Sequence, residues 1–496
     1  MVNLGSFLKY HAARWPDKIA IVYQDRRISY GELWQRVQHL ARFLKGQGIG
    51  KGDVVAVFMK NSPAFIEIAI ATSYLGGVFL PINYRLANDE VAYITGNAKA
   101  KLLFGDAEFA GVLAVDVPKF LLDDAMQKDP RALTGESGDI PVQEFVRPGD
   151  LFRLMYTSGT TDRPKGVMHT YENFYWKSME HVIVLGLSHQ TRLLVTGPLY
   201  HVGAFDLPGV AVLWLGGMLK IHREFNPAEV LAAIEQEKLT GAWLAPIMMA
   251  GVLSHPERDR YDVSSLEWCI GGGEKTPEGR IIEFQKYFTN GRYIDAYGLT
   301  ESGSGDTFME AGWEIEKIGS TGRATPHVSI AIANDGGQFL APGEEGEICL
   351  RGPKITQGYW NDPQKTADTR IGDWFRTGDV GYLDEDGFLY LTDRKKDMII
   401  SGGENIASSE IERVIYQMPG VMEAAVIGMP DERWGEVPVA IIVPAKGVTI
   451  DEAAFQAHCR KHLAGFKIPK RLILQESLPR NPSGKILKRV LRDEIS

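Results

Sequence analysis

A run of small and hydroxyl-bearing residues that ends in a lysine is the first segment whose residue types could do chemistry. Residues 156–166 read YTSGTTDRPKG. Small residues let backbone N–H groups approach phosphate oxygens, and the hydroxyl groups and Lys165 add hydrogen-bond donors and positive charge. The Walker A pattern, GxxxxGK followed by Ser or Thr, does not fit this spacing. The segment therefore predicts a phosphate-binding loop of a different kind.

Five further blocks of the sequence share a family signature with this loop. In order they are PLYHVGAF (198–205), DAYGLTE (295–301), RTGDVG (376–381), DRKKDMIISGGENI (393–406) and PRNPSGKILK (479–488). Together with the loop they resemble the adenylate-forming superfamily, which includes acyl-CoA synthetases, peptide-synthetase adenylation domains and firefly luciferase. The resemblance covers nearly the whole chain. One position departs from it, because Asp162 stands where the family usually has glycine.

The resemblance implies an α/β fold with two domains of unequal size. The large N-terminal domain, residues 1–393, would contain two doubly wound sheets and a distorted β-barrel, and would bind AMP and the acyl group. Residues 394–397 would form a hinge that includes Lys396. Residues 398–496 would form a small, mobile α/β C-terminal domain that rotates and takes part in catalysis.

The resemblance also implies two half-reactions that use ATP, Mg²⁺ and coenzyme A. A carboxylate attacks the α-phosphate of ATP to give an acyl-adenylate and pyrophosphate, and a thiol then displaces AMP. The first step brings an anion to a polyanion, so it needs positive charge and a metal. In the family pattern Lys485 bridges the carboxylate and the α-phosphate, Thr300 contacts the α-phosphate, and Glu301 binds Mg²⁺ together with Thr160. His201 would gate the passage between the acyl pocket and the thiol tunnel.

The remaining site residues are implied by the same resemblance. Those for ATP and AMP are Thr157, Ser158, Gly159, Thr160, Thr161, Lys165, Gly273, Glu274, Lys275, Asp295, Ala296, Tyr297, Gly298, Asp379 and Arg394. Those for the CoA tunnel are Gly402, Gly403 and Glu404. Those for the acyl pocket are His201, Gly203, Ala204, Phe205, Gly209 and Gly272. Within the nucleotide set, Tyr297 would stack on adenine, and the carboxylate of Asp379 would accept hydrogen bonds from the ribose hydroxyls.

Alternating helical and β-rich patterns predict the elements that must position these residues. Residues 28–44 form a helical pattern that Ser29 can cap, and Glu32 suits the first turn of a helix. Residues 54–59 have the pattern of a buried strand, and residues 65–82 predict a buried helix that runs into a strand. Strands that alternate with helices of about 10–15 residues imply a parallel sheet with crossover connections.

The pattern changes in the last third of the chain. From about residue 319 to residue 394, short strands are separated by Gly, Pro and Asp, which predicts a β-barrel or sandwich. A helical pattern at 408–417 and the strands AAVIGM and PVAIIVP follow, and they predict a small α/β unit.

Length and composition are those of a globular protein. The chain has 496 residues, of which 44% are hydrophobic and 24% charged, and this length suggests about three domain-sized units. The balance of 63 acidic against 54 basic residues argues against nucleic-acid binding, which needs clustered lysine and arginine. Cys269, Cys349 and Cys459 are far apart, so we expect neither a zinc site nor disulfides. Few cysteines and no signal-peptide pattern indicate a cytoplasmic protein.

Two questions stay open: which thiol accepts the acyl group, and which carboxylic acid is the substrate. An AMP-forming carboxylate:CoA ligase is the leading interpretation, and a free-standing adenylation enzyme that loads a carrier-protein thiol is the alternative. A luciferase-type oxygenase and a non-catalytic nucleotide-binding protein are two further hypotheses. Pyrophosphate exchange without CoA, followed by thioester formation with CoA, would separate these cases.

The expected substrate is a small-molecule carboxylic acid. The sequence between His201 and Trp243 is mostly apolar, and Arg223 lies outside the core of that run, so a dicarboxylate is disfavoured. The strings GGGEKTPE, SGDTF and ENIASSE resemble bacterial hydroxycinnamate or medium-chain acyl-CoA ligases. We therefore expect a hydrophobic aryl acid or a medium- to long-chain acyl acid as the substrate. We also expect no transmembrane segment, and a homodimer is an open alternative for the assembly.

Overall fold

The computed structural model of the chain describes residues 3–111, 113–123, 139–157, 164–273, 276–394, 397–401, 404–431, 434–480 and 486–495. Its helices are α1 Leu4–Arg14, α2 Tyr30–Gly46, α3 Pro63–Tyr74, α4 Asn88–Asn97, α5 Tyr171–Leu185, α6 Val202–Ala204, α7 Val210–Trp214, α8 Pro227–Glu237, α9 Pro246–Leu253, α10 Glu278–Tyr287, α11 Pro363–Asp368, α12 Ser408–Tyr416, α13 Glu452–His462 and α14 Lys488–Ile495. Short helical turns lie at Ala107–Phe109, Phe205–Gly209, Arg258–Arg260, Thr300–Ser302 and Gly465–Lys467.

The strands up to Ala324 build two large sheets. They are β1 Ile19–Tyr23, β2 Arg26–Ser29, β3 Val54–Phe58, β4 Val78–Pro81, β5 Ala100–Asp106, β6 Lys119–Leu122, β7 Leu151–Thr157, β8 Lys165–Thr170, β9 Arg192–Val195, β10 Met218–Ile221, β11 Gly241–Trp243, β12 Trp268–Gly271, β13 Arg292–Tyr297, β14 Thr307–Phe308 and β15 Arg323–Ala324. A nine-stranded sheet has the order β15-β14-β13-β12-β11-β9-β10-β1-β2, and a six-stranded sheet has the order β6-β5-β3-β4-β7-β8.

Both large sheets are mainly parallel. In the nine-stranded sheet, β2, β14 and β15 are antiparallel additions at the edges. In the six-stranded sheet, β8 returns antiparallel to β7. Helices α1, α2, α3 and α5 pack between the sheets, α8 to α10 cover the outer face of the nine-stranded sheet, and α4 covers that of the other. The predicted pair of doubly wound sheets is therefore confirmed.

Two smaller sheets follow. Their strands are β16 Ser329–Ala333, β17 Gly346–Arg351, β18 Arg370–Ile371, β19 Trp374–Leu383, β20 Leu389–Arg394, β21 Ile399–Ser401, β22 Glu404–Ile406, β23 Val421–Asp431, β24 Gly435–Pro444 and β25 Arg471–Leu474. The third sheet, β16 to β20, is antiparallel throughout, and its short strands lie in the part of the chain where the sequence predicted a β-rich unit. The fourth sheet packs against α12 and α13 on one side and α14 on the other, which is the predicted α/β terminal unit.

Helices α2 and α3 show how local sequence specified the core between the large sheets. The hydroxyl of Ser29 accepts a hydrogen bond from the backbone N–H of Glu32, which is the predicted N-cap of α2. The apolar stretch 65–82 forms most of α3 and then β4, also as predicted. Glu67 is fully buried in α3, where its carboxylate pairs with Arg36 of α2, and the Nε–Oε1 distance is 2.6 Å. The ion pair with Arg36 thus compensates the buried charge of Glu67 inside this apolar stretch.

The parallel strands bring their carboxyl ends to common edges. The segments after β7, β9, β11, β12 and β13 leave these ends, and they include the phosphate loop and the blocks around His201 and Thr300. Ligands of open α/β sheets bind outside the carboxyl ends of strands. In the described part of the chain, no helix has the combined length and apolar composition needed to cross a bilayer.

Candidate active site

The two ends of the predicted phosphate loop are cross-strand partners. Thr157 at the end of β7 lies opposite Lys165 at the start of β8. Burial and the nearby charge of Lys365 lower the pKa of Lys165. The hairpin therefore presents a partly desolvated lysine beside the loop, where an anionic ligand would stabilise its charged form.

Several predicted site residues lie outside the described residues. They are Ser158, Gly159, Thr160, Thr161, Glu274, Lys275, Lys396, Gly402, Gly403 and Lys485. The side chains of Arg394 and Glu404 also lie outside the description, although their backbones belong to β20 and β22. The roles assigned to all these residues stay predictions.

The turn after β13 carries Thr300 and Glu301 and is held from two sides. The backbone carbonyl of Thr300 accepts a hydrogen bond from Nε2 of His169 on β8, at 2.6 Å. The Glu301 carboxylate accepts one from the hydroxyl of Tyr359, at 2.8 Å, and the Glu301 carbonyl accepts one from the N–H of Thr356, at 2.7 Å. His169 and Tyr359 were not among the predicted site residues, because neither belongs to a recognisable block.

Tyr297 and Asp379 meet across two sheets. The Tyr297 hydroxyl donates a hydrogen bond to Oδ2 of Asp379, at 2.9 Å. Tyr297 is 6% exposed, and burial together with the Asp379 charge raises its pKa well above the usual value. Asp379 on β19 lies opposite Arg394 on β20, so the register pairs two residues of the predicted nucleotide set. The end of β13 and the strand β19 thus meet at one place.

Strand β12 supplies the neighbouring wall. Gly271 lies opposite Asp295 of β13, and Asp295 is buried. A Cβ at Gly271 would fall 1.6 Å from the Tyr293 hydroxyl, so packing requires glycine there. Gly273 has φ +90°, and nothing lies within 4 Å of a Cβ placed on it. Gly273 is therefore the member of this glycine run that faces open space and that an L side chain would strain.

Predicted nucleotide and acyl residues next to this wall are closely packed against protein. A Cβ at Gly298 would lie 2.3 Å from the Gly305 nitrogen, and one at Gly272 would lie 2.9 Å from the carbonyl of Ala296. Ala296 itself is 7% exposed. Close backbone packing is thus one reason for glycine at both positions.

The segment after β9 contains His201 and the predicted acyl-pocket residues. Nδ1 of His201 accepts a hydrogen bond from the N–H of Gly203, at 3.1 Å, and burial lowers the pKa of His201 to about 4. The ring is therefore neutral near pH 7. A Cβ at Gly203 would lie 2.6 Å from the Trp243 ring, and one at Gly209 would lie 2.5 Å from the Ala204 carbonyl.

Phe205 packs into the protein core. Its ring stacks on Phe79 with a centroid distance of 5.8 Å and lies edge-on to Phe65 at 6.4 Å. The structure thus shows protein groups against Gly203, Phe205 and Gly209. Their contact with an acyl group stays a prediction.

A cluster of four buried ionisable residues lies behind the site. We call Arg153, His169, Lys177 and Asp206 the Asp206 cluster. The Asp206 carboxylate pairs with Nη1 of Arg153 at 2.7 Å and with Nζ of Lys177 at 3.1 Å. Burial alone would raise the pKa of Asp206, but the two cations outweigh it and lower the pKa to about 2. Burial lowers the pKa of Lys177 to about 8, and burial with the Arg153 charge lowers that of His169 to about 3.

A second buried ion set holds the next residues of the same turn. Nζ of Lys354 lies 3.0 Å from Asp306 and 3.4 Å from Glu180, and all three side chains are fully buried. The Lys354 ammonium also donates hydrogen bonds to the carbonyls of Ser304, at 3.1 Å, and Gly305, at 2.6 Å. Buried charges therefore hold the end of the turn, from Ser304 to Asp306.

Comparison with known proteins identifies the family. The family described as AMP-binding enzyme matches residues 8–360, and the family described as AMP-binding enzyme C-terminal domain matches residues 410–485. The chain belongs to the AMP-binding enzyme family. The two family matches confirm the resemblance seen in the sequence blocks.

Two curated relatives match the AMP-binding enzyme over its full length. A feruloyl-CoA synthase from Amycolatopsis sp is 38% identical over 492 residues, which cover 99% of this chain and 98% of the relative. A long-chain-fatty-acid–CoA ligase from Mycobacterium tuberculosis (strain ATCC 25618 / H37Rv) is 37% identical over 505 residues and covers 100% and 99%. These relatives confirm the prediction of an AMP-forming acid–thiol ligase.

A solved structure agrees with the fold. The o-succinylbenzoate coenzyme A synthetase from Bacillus subtilis, in complex with ATP and magnesium ion, has a TM-score of 0.88 and 30% identity. The match covers 98% of this chain and 99% of that chain. The predicted fold class, a large N-terminal part of several sheets with a small α/β C-terminal part, is confirmed.

Glu301 is the predicted Mg²⁺ ligand whose side chain the structure describes. Within the described ranges, no group of three or more His, Cys, Asp or Glu side chains is arranged as a metal site. Mg²⁺ is usually held by one or two carboxylates, substrate phosphates and water rather than by an all-protein cage. The partly buried carboxylate of Glu301, oriented by Tyr359, fits this mode of binding.

Proposed function

We propose that the chain is an ATP-dependent carboxylic acid:CoA ligase. It forms an acyl-adenylate with release of pyrophosphate, and then an acyl-CoA thioester with release of AMP. The observation that carries the proposal is the turn after β13, where His169 and Tyr359 hold Thr300 and Glu301. The full-length relatives are CoA synthases and ligases, and a solved neighbour holds ATP with magnesium, which supports ATP, Mg²⁺ and CoA as the cofactors.

Each part of the site then has a role in the first half-reaction. The Asp379 carboxylate accepts hydrogen bonds from the ribose hydroxyls, and Tyr297 stacks on adenine. Thr300 contacts the α-phosphate, and Glu301 supplies a carboxylate to Mg²⁺. Bound Mg²⁺ neutralises phosphate charge and orients the phosphates. Lys485 completes the set by bridging the carboxylate and the α-phosphate.

Domain alternation is a further part of the proposal. Residues 1–393 bind the nucleotide and the acid, residues 394–397 form the hinge around Lys396, and residues 398–496 carry Lys485 and the CoA tunnel. The matches of one family to residues 8–360 and of another to residues 410–485 support this division.

Half-reaction assays test the proposed function. With ATP, Mg²⁺ and a suitable acid, the purified protein is expected to catalyse pyrophosphate exchange without CoA. Adding CoA should give AMP and an acyl-CoA in equal amounts, and EDTA should abolish both activities until Mg²⁺ is restored. Exchange without any CoA thioester, but with loading of a phosphopantetheinyl carrier protein, would favour the adenylation alternative. Nucleotide binding without exchange for any acid would contradict both enzymes.

The charges near His201 support a hydrophobic monocarboxylic acid. Arg153 and Lys177 are both paired with the Asp206 carboxylate within the protein. Arg223 is bound by Asp106, at 3.0 Å, and also pairs with Glu108. These three cations are thus committed to protein carboxylates, whereas a second carboxylate on the substrate needs a partner of its own. We therefore propose an aryl acid or a medium- to long-chain acyl acid.

Trp243 sets the space beside Gly203 in this proposal. Its ring also fills the position of a Cβ on Gly197. Replacing Trp243 by leucine should open this space and raise kcat/KM for the longer acids of a straight-chain series by about tenfold relative to the short acids. The series from butyric to palmitic acid, with ferulic acid added, measures the effect.

Trp268 offers a matched control for Trp243. It also packs on a glycine, Gly241, but it begins β12 whereas Trp243 ends β11, and these strands are parallel. Trp268→Leu should lower stability and leave the shape of the chain-length profile unchanged. If Trp243→Leu also leaves the profile unchanged, Trp243 does not border the acyl site.

Two finer expectations complete the proposal. We propose that the protein acts in the cytoplasm, and that a homodimer is its assembled form. Light scattering during gel filtration tests the second expectation, and a mass near the 55.0 kDa of one chain would overturn it.

A further inference from the structure

Arg153 and His169 form a cross-strand pair that links two parts of the site. They lie directly opposite each other on β7 and β8, the strands that bracket the phosphate loop. Directly opposite residues of an antiparallel pair project to the same face of the sheet. Both side chains are buried, with 2% of each residue exposed. The pair therefore lies within the protein, away from bulk solvent.

The hydrogen bonds of this pair determine where the His169 proton lies. Arg153 donates to Nδ1 of His169 from Nε, at 3.2 Å, and from Nη2, at 3.0 Å. A guanidinium only donates, so Nδ1 must be the unprotonated, accepting nitrogen. The proton of the neutral ring is therefore on Nε2, which donates to the Thr300 carbonyl at 2.6 Å. The tautomer that holds Thr300 is thus set by Arg153.

Arg153 is in turn oriented by Asp206, which lies five residues after His201. Its Nη1 donates to Oδ2 of Asp206, at 2.7 Å, and its guanidinium lies over the Phe205 ring, 5.4 Å from the centroid. Asp206, Arg153, His169 and the Thr300 carbonyl therefore form one continuous chain of hydrogen bonds. It runs from the segment that carries His201 to the turn that carries Glu301.

We propose that His169 is a positioning residue for nucleotide binding and adenylation, with Arg153 and Asp206 fixing its tautomer. His169 reaches the nucleotide only through the backbone of Thr300. Its hydrogen bond sets the orientation of the peptide between Thr300 and Glu301, and thereby the direction of both side chains. The proposal rests on the proposed function for the roles of Thr300 and Glu301. Partners that orient the residues holding a metal or a phosphate commonly contribute 10–100-fold to affinity or activity, which is about the effect expected here.

Two substitutions by amide residues separate the effect of the His169–Thr300 hydrogen bond from the effect of side-chain packing at position 169. In His169→Gln, the side-chain oxygen can accept from Arg153 while the amide nitrogen donates to Thr300. In His169→Asn, the shorter side chain can accept from Arg153 but does not reach Thr300. Both variants keep a hydrogen-bond partner for the buried guanidinium, so both should fold. The readouts are the Kd of MgATP by calorimetry and kcat and KM of acid-dependent pyrophosphate exchange.

His169→Asn is expected to weaken MgATP binding and to lower kcat of pyrophosphate exchange, with a combined loss in kcat/KM for ATP of about 10- to 100-fold. His169→Gln should restore most of the loss. Thioester formation from supplied acyl-adenylate should change little in either variant. Tyr30→Phe is the control for a lost buried hydrogen bond, because the Tyr30 hydroxyl donates to the Gly217 carbonyl at 2.7 Å and bonds to none of the predicted site residues that the structure describes. It should leave MgATP binding unchanged.

Three outcomes would overturn the positioning role. They are wild-type MgATP affinity and exchange in His169→Asn, equal losses in the Asn and Gln variants, and a loss that follows the unfolding midpoint in urea across all three variants. MgATP binding is measured without any acid, so it tests His169 even if the wild-type protein catalyses no exchange. An absence of exchange in the wild-type protein would count against the proposed function alone.

Discussion

Replacing Lys485 by alanine is expected to abolish acyl-adenylate formation while sparing the second half-reaction. In the proposed mechanism Lys485 is the cation that joins the attacking carboxylate to the α-phosphate, and only the first step needs this contact. Loss of a charged contact in the transition state typically costs about 3 kcal/mol, which is about a hundredfold or more in rate. Pyrophosphate exchange measures the first step, and CoA thioester formation from supplied acyl-adenylate measures the second.

Lys461 provides the control for this substitution. It is an exposed lysine on α13 of the same C-terminal unit. Lys461→Ala removes one positive charge from that unit and should leave both half-reactions unchanged. An equal loss of both half-reactions in Lys485→Ala would contradict the assignment of Lys485 to adenylation.

Asp206→Ala is expected to lower the free energy of unfolding by about 3–5 kcal/mol. It leaves Arg153 and Lys177 buried without their anion, and breaking a buried ion pair by removing one partner has this cost. The midpoint of urea unfolding at pH 7 measures the effect. Asp206→Asn, which keeps the shape and loses the charge, should also be destabilised.

The pKa of Asp206 adds a pH signature. Its pKa is lowered from 3.8 to about 2 in the folded protein, so its contribution to stability is fully present above the unfolded value and is lost as the pH falls toward 2. Wild-type stability should therefore fall between about pH 5 and pH 2 more steeply than that of Asp206→Ala.

Asp262 serves as the exposed counterpart of Asp206. Its carboxylate pairs with Lys238 at 2.8 Å, and about half of each side chain is exposed. Exposed pairs contribute little because solvent screens them. Asp262→Ala should leave the unfolding midpoint close to that of the wild type. If Asp206→Ala is no more destabilising than Asp262→Ala, the Asp206 cluster does not stabilise the folded protein.

Sequence patterns predicted the elements whose formation depends on neighbours along the chain. The cap at Ser29, the buried helix and strand of residues 65–82, and the short strands of the β-rich part all formed as expected. Capping hydrogen bonds and hydrophobic periodicity act over a few residues, so they can be read from short windows. The ordered blocks in turn led to the family, because each block places particular side chains at one loop.

Contacts between distant residues were outside the reach of such patterns. Arg153 interrupts the apolar strand LFRLMYT, and Asp206 interrupts the apolar run after His201, so each looks like an exception in its own window. Their pairing appears only when β7 and the segment after β9 meet in space. Gly203 suggests free volume in the sequence, yet the Trp243 ring, forty residues later, fills the adjoining space.

The sequence by itself determined the family, the α/β architecture and the order of the signature blocks, because these follow from local chemistry and its spacing. Only the tertiary structure decided that His169 holds the Thr300 carbonyl, that Tyr359 orients Glu301, and that Asp206 pairs with both Arg153 and Lys177. The physical reason is the range of the interactions. Hydrogen bonds and buried ion pairs act over about 3 Å in space, and the chain must fold before residues so far apart in sequence reach that distance.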